Sequence, residues 1–227
     1  MNKRVKFIFF FAFISFAILS RLAFPRIQDL SIEEVVGKST MAVVKINVYD
    51  KTGEKCGFGT GFFIAPGKIL TCAHVIESAH SLSINPFGHV DVITPYNISY
   101  GHPKILKANG VLDLALLEVD ALNQPSLSLE TGEKLIKGQP VVTVGNPEEY
   151  AKLASIGIVS EEDAADPLTF YFSAPVGPGS SGSPILNMKG NLIGIVMATK
   201  IELSFINIAI KTERISEFLS SPDNPKT

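Results

Sequence analysis

The 227 residues are 19% charged and 46% hydrophobic and include two cysteines, a chain long enough for one large domain or two small ones with a sizeable core and unlike a disordered chain or a coiled coil. Residues 1–25 hold seven of the fifteen Phe, four of the twenty Lys and Arg and no acid, so the remainder carries sixteen positive against twenty-two negative charges, a formal −6. That balance argues against nucleic-acid binding by phosphate neutralisation and against a basic membrane-surface patch.

In chain order, Lys3, Arg4 and Lys6 precede an apolar run, Phe7 to Leu19, broken by Ser15. A positive head and a short apolar stretch fit a signal peptide. The run reaches membrane-spanning length only if Arg21 lies at the far interface, and no clean A-x-A cleavage site follows. Residues 1–25 are therefore a cleaved signal peptide or an uncleaved N-terminal membrane anchor, and either sends residues 26–227 across the cytoplasmic membrane, because a basic flank stays inside. Ser31-Ile32-Glu33-Glu34 reads as a capping box opening a helix through about Lys38. The pattern then turns to short strand-like runs punctuated by Gly, Pro, Asn and Asp: Met41–Val48, Gly59–Ile64, Lys68–Cys72, Leu82–Ile84, Val90–Ile93, Ile105–Ala108, Leu114–Val119, Pro140–Gly145, Ala154–Val159, Leu168–Ser173, Ser183–Leu186, Leu192–Ala198 and Phe205–Ile210. Many short strands at near-regular spacing indicate an all-β sandwich or barrel. Residues 121–132 read as a connector between two halves, the acids Glu161, Glu162, Asp163 and Asp166 as a solvated loop, and Thr212–Leu219 as a closing helix.

Two cysteines in an exported chain invite a disulfide. The strands flanking the Pro66-Gly67 turn, however, put Cys72 opposite a residue near Gly61, several positions from Cys56, well past the ~7 Å Cα limit for a bridge at about 3.3 Å per residue. Two free thiols are expected. A zinc site drawn from Cys56, Cys72, His74, His80, His89 and His102 lacks C-x-x-C or H-E-x-x-H spacing. Gly57-x-Gly59-x-Gly61 precedes a strand rather than a helix N-terminus, so close packing explains those glycines better than a phosphate cradle does. No metal or other cofactor is expected.

Three segments carry chemistry together: Leu70-Thr71-Cys72-Ala73-His74-Val75, Asp113-Leu114-Ala115-Leu116-Leu117, and Gly177-Pro178-Gly179-Ser180-Ser181-Gly182-Ser183-Pro184. A Ser hydroxyl needs a neighbouring base to become a nucleophile, His is the side chain that titrates near neutrality, and a carboxylate fixes its tautomer. Ser181, His74 and Asp113 fill those roles, Asp91 being a weaker third member because it lies in an alternating strand. The amides of Gly179 and Ser181 would form the oxyanion hole.

In this setting the chain resembles a trypsin-like serine protease of the bacterial HtrA/Deg type. The matching pieces are Gly59-Thr60-Gly61-Phe62, Leu70-Thr71-x-x-His74-Val75-Ile76, Asp113-Leu114-Ala115-Leu116, Val144-Gly145-Asn146-Pro147, Gly157-Ile158-Val159-Ser160, Pro178-Gly179-x-Ser181-Gly182, Gly190-x-Leu192-Ile193-Gly194-Ile195 and Ile208-Ala209-Ile210. The resemblance implies two packed six-stranded antiparallel β-barrels, the first at about 38–122 and the second at about 133–212, with the triad in the cleft between them. It also implies an endopeptidase acting on unfolded or mislocalised polypeptides outside the membrane. A catalytically silent or latent peptide-binding module is the alternative. Ala174, Pro175 and Val176 are expected to line an uncharged specificity pocket suited to small aliphatic side chains, and Val196, Met197 and Ala198 to pair with the substrate backbone. Ser183 and Cys72-Ala73 depart from the family pattern. No PDZ domain is expected after Lys211, and a homo-oligomer such as the family's trimer stays open.

Overall fold

The computed structural model describes residues 29–77, 87–132, 134–147, 152–163, 165–199 and 206–222. The N-terminal segment and the Leu82–Ile84 strand expected from sequence lie outside these residues. Among the described residues no helix is long and apolar enough to cross a membrane.

The chain enters through α1 (Ile32–Thr40), whose capping box forms as the sequence indicates: Ser31 Oγ accepts from Glu34 N at 3.3 Å and Glu34 Oε2 accepts from Ser31 N at 2.8 Å. The first half then builds a sheet from β1 (Val43–Asp50), β2 (Lys55–Ala65), β3 (Lys68–Thr71), β4 (Phe87–Ile93), β5 (Ser99–Gly101), β6 (Lys104–Asn109) and β7 (Leu114–Glu118), in the order β5-β4-β1-β2-β3-β7-β6. Only His102 and Pro103 separate β5 from β6, yet these strands occupy opposite edges, so the sheet must curl until its edges meet. His102 has a φ of 56° and Pro103 has no N–H to give, which leaves this seam without a ladder. Among the described residues the first half is therefore a rolled, open half-barrel, its sheet divided into seven strands.

The second half closes fully. β8 (Pro140–Gly145), β9 (Leu153–Glu162), β10 (Thr169–Phe172), β11 (Pro184–Leu186), β12 (Leu192–Thr199) and β13 (Asn207–Lys211) run around the barrel as β10-β13-β12-β11-β8-β9, with Phe170↔Glu162 sealing the ring. The helix α3 (Thr212–Ser220) follows and buries Ile215 and Phe218. Together these features make the chymotrypsin-like architecture.

Two sequence readings change in detail. The 121–132 connector is tied to both halves: Leu127 N donates to Phe63 O at 2.9 Å and Leu192 N to Ser128 O at 2.8 Å. The acidic cluster is no loose loop. Asp163 accepts from Ala165 N (2.9 Å) and Tyr171 OH (2.8 Å), Asp166 pairs with Arg214 at 2.5 Å, Glu161 with Lys137 at 2.7 Å and Glu162 with Lys211 at 3.2 Å. These acids fasten the β9–β10 turn to its surroundings. Cys56 and Cys72 are both free.

Candidate active site

Strand register brings His74 and Asp113 together. β3 pairs with β7 antiparallel, Thr71 opposite Ala115, so the residues just past the end of β3 meet those just before β7. His74 stands on the short helix α2 (Ala73–Glu77). That helix can lie on β2 because Gly59 has no side chain: a Cβ there would come 2.5 Å from Val75 Cγ1. Asp113 adopts a φ of 54° after a turn in which Asn109 Oδ1 accepts from Val111 N and Leu112 N, both at 3.0 Å. The carboxylate then clasps the imidazole. His74 Nδ1 is 2.9 Å from Oδ1 and 2.8 Å from Oδ2, and the His74 backbone N–H donates to Oδ1 at 3.0 Å. These bonds put the ring proton on Nδ1 and leave Nε2 as an acceptor.

Ser181 comes from the second half on two tandem turns. Ser180 N donates to Gly177 O and Ser183 N to Ser180 O, each at 2.9 Å. Gly179 and Gly182 occupy the third position of these turns with φ of 88° and 85°, where a type II turn demands a positive φ, and Pro178 sits at the second position it favours. Among the described residues, neither the Gly179 nor the Ser181 amide donates a hydrogen bond. Ser181 Oγ donates to Met197 O at 3.2 Å. His74, Asp113, Ser181, Val176 and Met197 border one open cleft of about 570 Å³.

The expected specificity residues divide. Val176 borders this cleft and Pro175 borders a second cavity, about 340 Å³, behind the Ser181 turn; Val176 reaches that one too. Ala174 lines neither and is fully buried. Its backbone presses on β9, where a Cβ at Gly157 would come 2.2 Å from Ala174 N, and its carbonyl accepts from Asn207 Nδ2 at 2.8 Å. Val196 cannot offer its backbone to a substrate, because its carbonyl takes Gly182 N and its N–H goes to Ser183 O, both at 2.9 Å. The β12–β13 register shifts between Val196 and Ala198, and this bulge frees Met197 from the ladder to face the cleft. Ala198 pairs with Ile208. Asp91 lies elsewhere, 3.7 Å from His89 Nε2.

Two further residues, named from sequence but given no part in catalysis there, touch the site. Thr60 Oγ1 donates to Gly179 O at 2.8 Å and accepts from Asn146 N at 2.9 Å. Cys72 is fully buried beside the His–Asp pair, donates to Val196 O at 3.4 Å, and has its thiol pushed well above its usual pKa by burial first and by the neighbouring Asp113 charge second.

The trypsin-like peptidase domain family matches residues 59–195. A protein of Pseudomonas putida named "Probable periplasmic serine endoprotease DegP-like" is 30% identical over 152 residues, 64% of this chain and 30% of its own length. The chain thus spans about a third of the length of the curated relatives it matches. Among solved structures, the serine endoprotease of Yersinia pestis superposes with a TM-score of 0.72 at 24% identity, covering 85% of this chain and 66% of the other. An M. tuberculosis protease in its active form superposes with a TM-score of 0.71 at 22% identity, covering 88% and 89%. The chain belongs to the trypsin-like peptidase family and is homologous to DegP-like serine endoproteases.

Proposed function

We propose that the chain is a serine endopeptidase in which Ser181 is the nucleophile, His74 the general base and then acid, and Asp113 the group that fixes the imidazole. The observation that carries this reading is the bidentate hold of Asp113 on Nδ1, which turns Nε2 into the base on a cleft shared with Ser181. A rotation about χ1 takes Oγ from Met197 O toward Nε2. As Oγ attacks the scissile carbonyl, its proton passes to Nε2, and Gly179 N–H and Ser181 N–H receive the oxyanion. The C–N bond then breaks, the amine leaves with the proton from Nε2, and water repeats the sequence on the acyl-enzyme.

Val176 gives the cleft an uncharged wall, which supports small aliphatic residues on the acyl side of the cut bond. Met197, released from its ladder, is the β12 residue placed to pair with an extended substrate once the Ser181 hydroxyl leaves its carbonyl. Unfolded or mislocalised polypeptides outside the cytoplasmic membrane are the proposed substrates; the basic, apolar N-terminus and the periplasmic relative support that location. The second reading, a latent or silent peptide-binding module, rests on the Ser181 hydroxyl's bond to Met197 O. Fluorophosphonate labelling followed by mass spectrometry separates the two. Modification at Ser181 that disappears in His74→Ala is the expected result. A folded protein that stays unlabelled both alone and with hydrophobic peptides would sink the enzyme reading.

A further inference from the structure

The hydrolytic scheme leaves Cys72 unused, although its Sγ, a ring nitrogen of His74 and a carboxylate oxygen of Asp113 all lie within 4.8 Å of one another. We propose that this triangle is an inhibitory binding site for a borderline-soft divalent cation, zinc(II) foremost. Sulfur, imidazole nitrogen and carboxylate oxygen are the donors zinc prefers, and three protein ligands leave a fourth position for water. Tetrahedral coordination at zinc–ligand distances of about 2.0–2.3 Å sets the ligand atoms about 3.3–3.6 Å apart. The 2.8 Å contact between Nδ1 and Oδ2 therefore opens by about half an ångström, and the widest edge closes by no more than about 1.2 Å.

Charge favours the same ion. A thiolate and a carboxylate balance the two positive charges of zinc, so the site ends neutral and its buried Cys72 side escapes most of the cost of placing charge in a low dielectric. The thiol proton leaves to solvent as the metal–sulfur bond forms, because a coordinated thiol is deprotonated whatever its pKa without metal. A route in exists, since the His74 side chain is 47% exposed and opens on the cleft, while Cys72 closes the far side. Inhibition follows from the tautomer. Zinc on Nδ1 displaces the ring proton to Nε2, and an imidazole protonated there has no lone pair for the Ser181 proton.

The test is metal binding to the full chain, read by calorimetry with Zn²⁺ and by ultraviolet thiolate-to-metal absorption with Cd²⁺. One ion per chain is expected, with a cadmium–thiolate band that survives Cys56→Ala and is lost in Cys72→Ala and Cys72→Ser. Zinc affinity is expected to fall at least about tenfold in both Cys72 variants, since even outer partners of a bound metal are worth about 10–100-fold. Zinc is also expected to suppress fluorophosphonate labelling at Ser181 reversibly in the parent protein and not in the Cys72 variants. Binding without the thiolate band, or unchanged zinc affinity in Cys72→Ser, overturns the proposal. A parent protein that never labels but shows the Cys72-dependent band overturns the protease reading alone.

Discussion

Thr60 shows how much one side chain can hold. Its Oγ1 bridges Gly179 O and Asn146 N, its N–H donates to Ser181 O at 2.9 Å, and its carbonyl accepts from Thr71 Oγ1 at 2.7 Å. Every polar group of this fully buried residue is bonded, and two of them, the N–H and the hydroxyl, clamp the Ser181 turn to the first barrel. Thr60→Val keeps the shape and orphans Gly179 O and Asn146 N, at a cost of about 1–3 kcal/mol per buried group. The expected result is a lower melting temperature and at least a tenfold slower fluorophosphonate reaction, restored by Thr60→Ser, which returns the hydroxyl. Valine at the parent rate would remove Thr60 from the machinery. Gly182 is less forgiving still: an added Cβ would lie 2.0 Å from Thr60 O at a φ of 85°. Gly182→Ala is expected to prevent native folding, seen as loss of the cooperative melt, because backbone strain of about 1–3 kcal/mol is compounded by a backbone contact that the turn and β2 cannot relieve. The need for glycine at 179 and 182 was legible from Gly-Pro-Gly-Ser-Ser-Gly itself, since turn chemistry is local. The role of Thr60 was not, because its partner Gly179 is 119 residues away and the Gly59-Thr60-Gly61 string advertises only its glycines.

Among elements, the same divide between local and distant signals decides what could be read. The capping box of α1 announces itself within four residues, and the apolar runs of β1, β3, β7, β8 and β12 follow from alternation or continuous hydrophobicity. Strand β5 did not announce itself: Ser99-Tyr100-Gly101 is too short to show a period, and it exists as a strand because β4 offers it an edge. The anchoring of α3 is equally hidden. Lys107, on β6 and 6% exposed, sends its ammonium to Phe218 O at 2.5 Å and to Ser221 Oγ at 2.6 Å, capping the helix C-terminus from another element. Lys107→Met keeps the stem and removes the cap, and is expected to cost about 1–3 kcal/mol, a melting shift of roughly 2–4 °C per kcal/mol for a chain of this size; an unchanged melt would make the cap dispensable. The β9–β10 turn carries a pH signature. Ala165 N–H first and Tyr171 OH second hold the Asp163 carboxyl below its usual value. A carboxyl depressed in the folded state stabilises it at neutral pH and loses that contribution as pH falls through the folded value, below about 4. Melting curves between pH 5 and 2 are expected to fall more shallowly for Asp163→Asn than for the parent, and parallel curves would refute the assignment.

At the scale of the molecule, the question is whether two barrels make two folding units. The site is divided between them, His74 and Asp113 on one side and Ser181 on the other, so its geometry is only as firm as their junction. The packing answers that they are not independent. One continuous apolar cluster joins Val44, Ile46, Phe62, Leu70 and Leu117 of the first half to Val142, Val144, Leu186, Ile195 and Ile210 of the second, and takes in Val35 of α1 and Phe218 of α3. The smaller cluster around Phe170, Phe172 and Ile185 belongs to the second barrel alone. Separating the halves would expose the larger cluster on both sides, at about 25 cal/mol for each Å² of apolar surface uncovered. It would also break the Thr60 clamp and the 121–132 connector's bonds to one of the two halves. Neither half then has a complete core to retreat to. A single calorimetric transition is expected, with a van't Hoff enthalpy close to the calorimetric one and with fluorophosphonate reactivity lost across the same temperatures as the far-ultraviolet signal. Two resolved transitions, the lower one abolishing reactivity while most β-structure persists, would mean that the barrels fold apart and that the cleft is assembled by docking.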